Sequence, residues 1–189
     1  MDFVLSRNYQ EDDLVLACVR KERWAQKELY EIHYSSLMAI CLRYANGEDE
    51  AMDILHESFI KIFRYIGTYK PGTSLGSWMK RITVNTAIDH YRRNSRRRTE
   101  DIELAYDLRS ADADAVSQFT EQEILAAIQQ LTPAYRTVFN LFVIEGYSHK
   151  EIAEMMEITE STSRSNLVKA RLKLQEVLRS KGNDDQRRK

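Results

Sequence analysis

From about Asp12 to about Arg98, apolar residues return every three to four positions. Ala25, Leu29, Leu37, Ile40 and Tyr44 do so first, and Met52, Leu55, Phe59, Ile62 and Ile66 follow. Leu75, Met79 and Ile82 mark a further stretch, with Trp78 and Ile88 one face over. This is the period of helices that turn one side to a core. Asn46-Gly47 ends the second helix, and Gly67 with Pro71-Gly72 parts the third from the fourth, because Gly tolerates left-handed backbone and Pro cannot continue a helix. Residues 99–119 are acidic, poor in large aliphatics and aperiodic, which predicts a flexible linker. A second helical region begins near Thr120. Thr132-Pro133 marks a helix start: Thr caps, and Pro at the first helical position loses nothing by lacking an N–H. Gly146 ends that helix, and Ser148-His149-Lys150-Glu151 has the form of a capping box. The pattern predicts an all-α chain of two small helical domains on a flexible tether.

Composition agrees. The 189 residues are 43% hydrophobic, enough for real cores, and 6 Gly and 2 Pro are too few for a turn-rich β fold. The net charge of −1 does not announce a nucleic-acid binder, but its distribution does. Lys80, Arg81, Arg92, Arg93, Arg96, Arg97 and Arg98 crowd residues 78–98 against only Asp89. Residues 99–123 are then strongly acidic, and the C-terminal stretch turns basic again. Such blocks predict separate working surfaces. Cys18 and Cys41 lie in helical apolar patterns with no ligand spacing around them, so no metal or other cofactor is expected. There is no signal-peptide pattern and no apolar run long enough to span a bilayer. A cytoplasmic protein without membrane contact is the expectation.

Ser148 to Leu174 reads as helix, tight turn, helix. Ile152, Ala153 and Met156 form the inner face of the first helix, with Ala153 small where crossing helices approach. Ile158 falls in the turn, and Thr159, Ser161 or Thr162 is positioned to cap the second helix. A helix-turn-helix sets the start of its second helix in the DNA major groove. Thr162, Ser163, Arg164, Ser165, Asn166, Lys169 and Arg171 supply suitable chemistry there: Arg reads guanine, Asn reads adenine, and Lys anchors phosphate. Two positions depart from many such motifs, Glu157 where Gly is common and Ser163 where a β-branched apolar residue is common. The alternative is an amphipathic helix pair with a solvated charged face.

Two strings in the first half narrow the choice. One is Asp53-Ile54-Leu55-His56-Glu57-Ser58-Phe59-Ile60-Lys61-Ile62-Phe63. The other is Ser77-Trp78-Met79-Lys80-Arg81-Ile82-Thr83-Val84-Asn85-Thr86-Ala87-Ile88-Asp89-His90-Tyr91-Arg92-Arg93. Followed by the helix-turn-helix, they resemble the extracytoplasmic-function sigma factors, the two-domain form of bacterial sigma. The resemblance implies a sigma-2 domain over residues 1–95, an acidic linker over 96–119, a sigma-4 helix-turn-helix domain over 120–183 and a basic tail over 184–189. It implies a non-enzymatic factor that binds core RNA polymerase and directs initiation at promoters, with promoter DNA and an anti-sigma factor as partners and no small-molecule substrate.

The same resemblance implies roles. Asp53, His56, Glu57 and Lys61 would contact polymerase, with His56 where many members carry Gln. The solvated face of a helix is the alternative for the acids. Tyr69, Ser74, Lys80, Arg81, Asn85, Arg92 and Arg93 would serve the −10 element. Among them Tyr69 offers a stacking face and Asn85 an amide for an extruded base. Trp78 fits a core position better, and the alternative for Asn85 is to satisfy a buried backbone group. The second helix of the C-terminal motif would read the −35 element. A self-sufficient helix-turn-helix repressor is the rival among binding proteins, and the long basic Trp78–Arg93 helix opposes it. A small nuclease is the rival among enzymes, but the four His form no cluster in sequence.

Overall fold

The computed structural model describes residues 11–97 and 120–187, and every regular element among them is helical. The linker read over 99–119 and Arg98 lie outside the described residues. Helices α1 (Glu11–Val19), α2 (Arg23–Tyr44), α3 (Glu48–Tyr65) and α4 (Leu75–Arg97) form the first unit, with a 3-10 turn at Ile66–Thr68. Helices α5 (Glu121–Gln129), α6 (Pro133–Phe139), α7 (His149–Met156) and α8 (Glu160–Arg187) form the second.

The predicted punctuation has visible causes. The chain leaves α2 at Ala45 and enters α3 after Gly47, both extended. Thr120 and Ser148 each close a capping box, with Glu123 and Glu151. Thr132 accepts from the Tyr135 N–H ahead of Pro133. Each such cap contributes about 1 kcal/mol. Two features escaped the period. Residues 20–22 break α1 from α2, with Lys21 at φ 61°. A π-helical turn, Asn140–Ile144, extends α6. Helix α8 also runs on to Arg187, into the stretch read as a tail.

In the first unit α2 packs on both α3 and α4, around Leu29, Ile54, Leu55, Ile62 and Met79. Burial pushes the thiols of Cys18 and Cys41 up to about 11 and about 12, so both are packing residues without thiolate chemistry. A smaller core of Ile128, Leu131, Ala170, Leu174 and Val177 joins α5 and α8.

The two units are not separate. Val138, Leu141, Ile152, Met156 and Leu167 of the second belong to the same apolar cluster as the core of the first. The polar part of the joint lies at the end of α2, where the last carbonyls have no intrahelical donor. Gln129 Nε2 donates to Leu42 O at 3.2 Å, Asn140 Nδ2 to Arg43 O at 2.6 Å and Arg136 Nη1 to Tyr44 O at 3.2 Å. Arg136 is 1% exposed. It also donates to Asn46 Oδ1 at 3.0 Å and to the carbonyls of Ile128, Gln129 and Leu131 at 3.2, 2.6 and 2.8 Å. Burial lowers the pKa of its guanidinium, while Glu50 opposes the shift.

Arg136→Ala strands several buried carbonyls at once, and orphaned polar groups are expensive. The expected loss is about 2–4 kcal/mol in urea unfolding. A loss below about 1 kcal/mol would mean that water replaces the guanidinium.

Candidate nucleic-acid interface

Helix α4 carries the basic face. Ser74 sits ahead of it, exposed, and its Oγ accepts from the Ser77 N–H at 3.2 Å. Arg81 and Asn85 are exposed one turn apart. Asn85 is therefore free of the buried-backbone role weighed against it. Lys80 is half-exposed and its Nζ lies 2.8 Å from Glu145 Oε2. Arg92 donates to Glu154 O at 3.2 Å and lies 3.8 Å from Glu157. Arg93 holds both oxygens of Glu57.

Tyr69 departs from expectation. It is 6% exposed. Its hydroxyl bonds Glu11 Oε1 at 3.0 Å and the Thr73 carbonyl, and its ring meets the edge of Trp78 at 5.9 Å. In this conformation it braces the 66–74 turn and offers no open stacking face. The reason is its neighbour: an aromatic beside a partly buried Trp gains more from that contact than from water.

Asp53 and His56 are exposed on α3, with Ile60 beside them at 59% exposure. Glu57 and Lys61 are more engaged. Arg93 first, and Lys61 second, hold the Glu57 carboxyl below its usual range. Lys61 reaches Asp89 Oδ2 at 2.9 Å. Face-to-face acids and bases thus tie α3 to α4.

In the second unit α7 and α8 form the helix-turn-helix. Glu157 adopts φ 58°, ψ 42°, the left-handed conformation that explains why Gly is frequent at this place. Thr159 caps α8, its Oγ1 accepting from the Thr162 N–H at 3.0 Å. Arg164, Ser165 and Arg171 are exposed, and Arg164 pairs with Glu160 at 3.0 Å. Lys169 lies over the Tyr135 ring, its Nζ 5.9 Å from the centroid.

Two of the predicted reading residues point elsewhere. Ser163 is fully buried and its Oγ lies 2.9 Å from His149 Nδ1. It fills the apolar position by hydrogen bonding, with His149 itself stacked on Phe142. Asn166 is 6% exposed, and with Thr162 it lines a cleft of about 730 Å³ whose other wall includes Tyr91 and Asn94 of α4. The Thr162–Asn166 side of the start of α8 therefore faces the first unit, while Arg164 and Ser165 stay exposed. Arg43, Arg136, Asn140 and Glu145, which join the units, carried no signal in the sequence beyond being polar residues on helical segments.

Residues 29–97 match the family model for sigma-70 region 2, and residues 121–174 match that for sigma-70 region 4. The chain belongs to the sigma-70 family. It is similar to the ECF RNA polymerase sigma factor SigE of Mycolicibacterium smegmatis, 31% identical over 156 residues. That match covers 80% of this chain and 60% of SigE, so the chain spans about three fifths of that relative. It is also similar to the RNA polymerase sigma-H factor of Pseudomonas aeruginosa, 28% identical over 181 residues, 89% of this chain and 94% of that one. Among solved structures, the sigma factor RpoE in complex with the anti-sigma factor NepR from Bartonella quintana aligns at a TM-score of 0.49 and 21% identity, over 81% of this chain and 96% of that chain. Region 2 thus coincides with the basic α4 and its α3 brace, and region 4 with the helix-turn-helix.

The surroundings of His149 predict that this sigma factor's second unit loses stability in acid. Burial, then the positive charge of Arg164, lowers the pKa of His149. A His whose folded pKa is depressed binds its proton more readily when unfolded, so stability is full above the ordinary pKa and falls as pH drops below about 6.5. His149→Phe should remove that slope in thermal melts between pH 7 and pH 5, and an unaltered slope would assign it to other groups.

Proposed function

We propose that this sigma factor binds core RNA polymerase, sets region 4 on the −35 element and region 2 on the −10 element, and stabilises strand opening. The observation that carries the reading is the pairing, in one chain and in this order, of the two sigma-70 regions with a basic α4 and a helix-turn-helix. Two separated contacts delivered by one assembly give a specificity that neither small module has alone. The chain makes and breaks no bond in this role. It shifts the promoter toward the open state by binding that state better. The cytoplasm is its place of work, and an anti-sigma factor is its partner when silent.

Exposed Asp53 and His56, with Ile60 between polar neighbours, suit a protein surface better than a phosphate backbone, so α3 is the polymerase-binding face. Arg81 and Asn85 face the melted strand, Lys80, Arg92 and Arg93 its flanking phosphates, and Arg164, Ser165, Lys169 and Arg171 the −35 duplex.

The deciding test is promoter-directed transcription by core polymerase with and without the chain, with start sites mapped. No added start sites would end this reading. Arg164→Ala should cost about 1–3 kcal/mol at one −35 base pair and relax specificity there. Unchanged transcription from a −35-dependent promoter would remove Arg164 from the reading surface. Asn85→Ala should keep core binding but slow melting, seen as weaker permanganate reactivity of −10 thymines on duplex than on a premelted bubble. Normal duplex melting would move base capture to another residue.

A further inference from the structure

Glu145 ends the π-helical turn of the second unit, and its side chain is only 6% exposed. Its two oxygens go to two different cations of the first unit. Oε1 lies 3.3 Å from Arg43 Nη2, at the end of α2, and Oε2 lies 2.8 Å from Lys80 Nζ, on α4. Helices α2 and α4 pack directly on each other, and Glu145 meets one cation from each. The carboxylate does not exhaust the site. Arg43 Nε is buried without an acceptor. A buried guanidinium donor with no partner is a standing cost, and it marks a site shaped for more acceptor oxygens than one carboxylate provides.

A phosphodiester carries the same charge with oxygens spread in three dimensions, and so can meet Nε and Nη2 while still reaching Lys80. Lys80 belongs to the same basic helix as the exposed Arg81 and Asn85, about 100° and about 140° around its axis from them, so the site flanks the DNA-facing side proposed above. We propose that Arg43 and Lys80 form a binding site for a backbone phosphate of promoter DNA, and that Glu145 fills it in the closed form of the free protein. DNA and Glu145 then compete for one site, and Glu145 must leave before the strand is held. The rest of the closed interface points the same way. Arg92 is engaged by Glu154 and Glu157 of the helix-turn-helix, and Asn166 is buried facing α4. The inference rests on the sigma-factor reading and adds a self-imposed block to it.

The test uses the full chain and a short fluorescein-labelled single-stranded DNA of mixed sequence, read by anisotropy. Glu145→Gln keeps the shape and removes the charge. It should expand the protein in small-angle scattering and tighten DNA binding about tenfold, equivalent to about 1.4 kcal/mol. Adding Arg43→Ala to Glu145→Gln should abolish that gain and flatten the dependence of log K on log salt by about 0.7, the share of one phosphate contact. If Glu145→Gln binds DNA as the wild type does, or if adding Arg43→Ala leaves its affinity and salt slope unchanged, the proposal is wrong. Should Glu145→Gln lose its helical circular dichroism, Arg43→Gln in the complex with core polymerase carries the test. There it should lower the salt slope of promoter binding by about one contact, and an unchanged slope overturns the proposal. Wild-type transcription with core polymerase separates the two failures. Its absence sinks the sigma-factor reading and this inference together, whereas its presence beside any of these negative results sinks the inference alone.

Discussion

The closed shape of this sigma factor depends on the end of one helix. Helix α2 finishes with carbonyls that no residue of its own can satisfy, at a place where apolar packing excludes water. Gln129, Asn140 and Arg136 of the second unit donate to three of them in succession. Arg136 does more, because its remaining donors collect the carbonyls that end α5 and its following turn. One guanidinium thereby closes two helix ends at once. Its positive charge also sits where the dipoles of both helices are negative, which offsets part of the cost of burying it.

This constraint explains why the net charge of −1 is compatible with a DNA-binding chain. The cations that the proposed reading sets against phosphate are held by carboxylates of the same molecule: Arg93 by Glu57, Lys80 by Glu145, Arg164 by Glu160. Several of these pairs are half-exposed, and such pairs are individually weak. Exchanging a carboxylate for a phosphate therefore changes free energy little at each place, and the summed exchange is left sensitive to salt and to competing partners.

Most of the architecture was legible in the sequence because it rests on local physics. Helix period, the Thr120, Thr132 and Ser148 caps and the stop at Asn46-Gly47 are decided within a few residues of chain. Glu157 shows how a departure from motif is absorbed: a left-handed residue that is not Gly costs on the order of 1 kcal/mol and leaves the turn intact. What the sequence did not disclose is non-local. Arg136 and Glu145 look like ordinary polar residues of a helix, and only the packing of one unit on the other buries them. The burial of Tyr69 and Asn166 was hidden for the same reason, since aromatic and amide side chains serve a nucleic acid or a protein neighbour equally well. Ser163 differs: its buried role follows from His149 fourteen residues earlier, a pairing that periodicity on either helix would not suggest.

Closure also bears on how a small two-module protein achieves specificity. If each unit could bind DNA freely, the chain would be titrated by nonspecific sequence, for which phosphate contacts suffice. A closed state lowers apparent affinity by the fraction of molecules that are open, and this loss is shared by specific and nonspecific sites alike. Only a partner that favours the open state can restore it, and on the proposed reading core polymerase, with the two units at separate promoter elements, is that partner. Its binding free energy is then spent in part on parting the units. The joint must be strong enough to stay shut alone and weak enough to yield, a condition better met by dispersed polar contacts at a helix end than by a single large apolar interface. The apolar contact of Val138, Leu141, Ile152, Met156 and Leu167 with the first unit sets the counterweight. Whatever parts the units must cover or replace that surface.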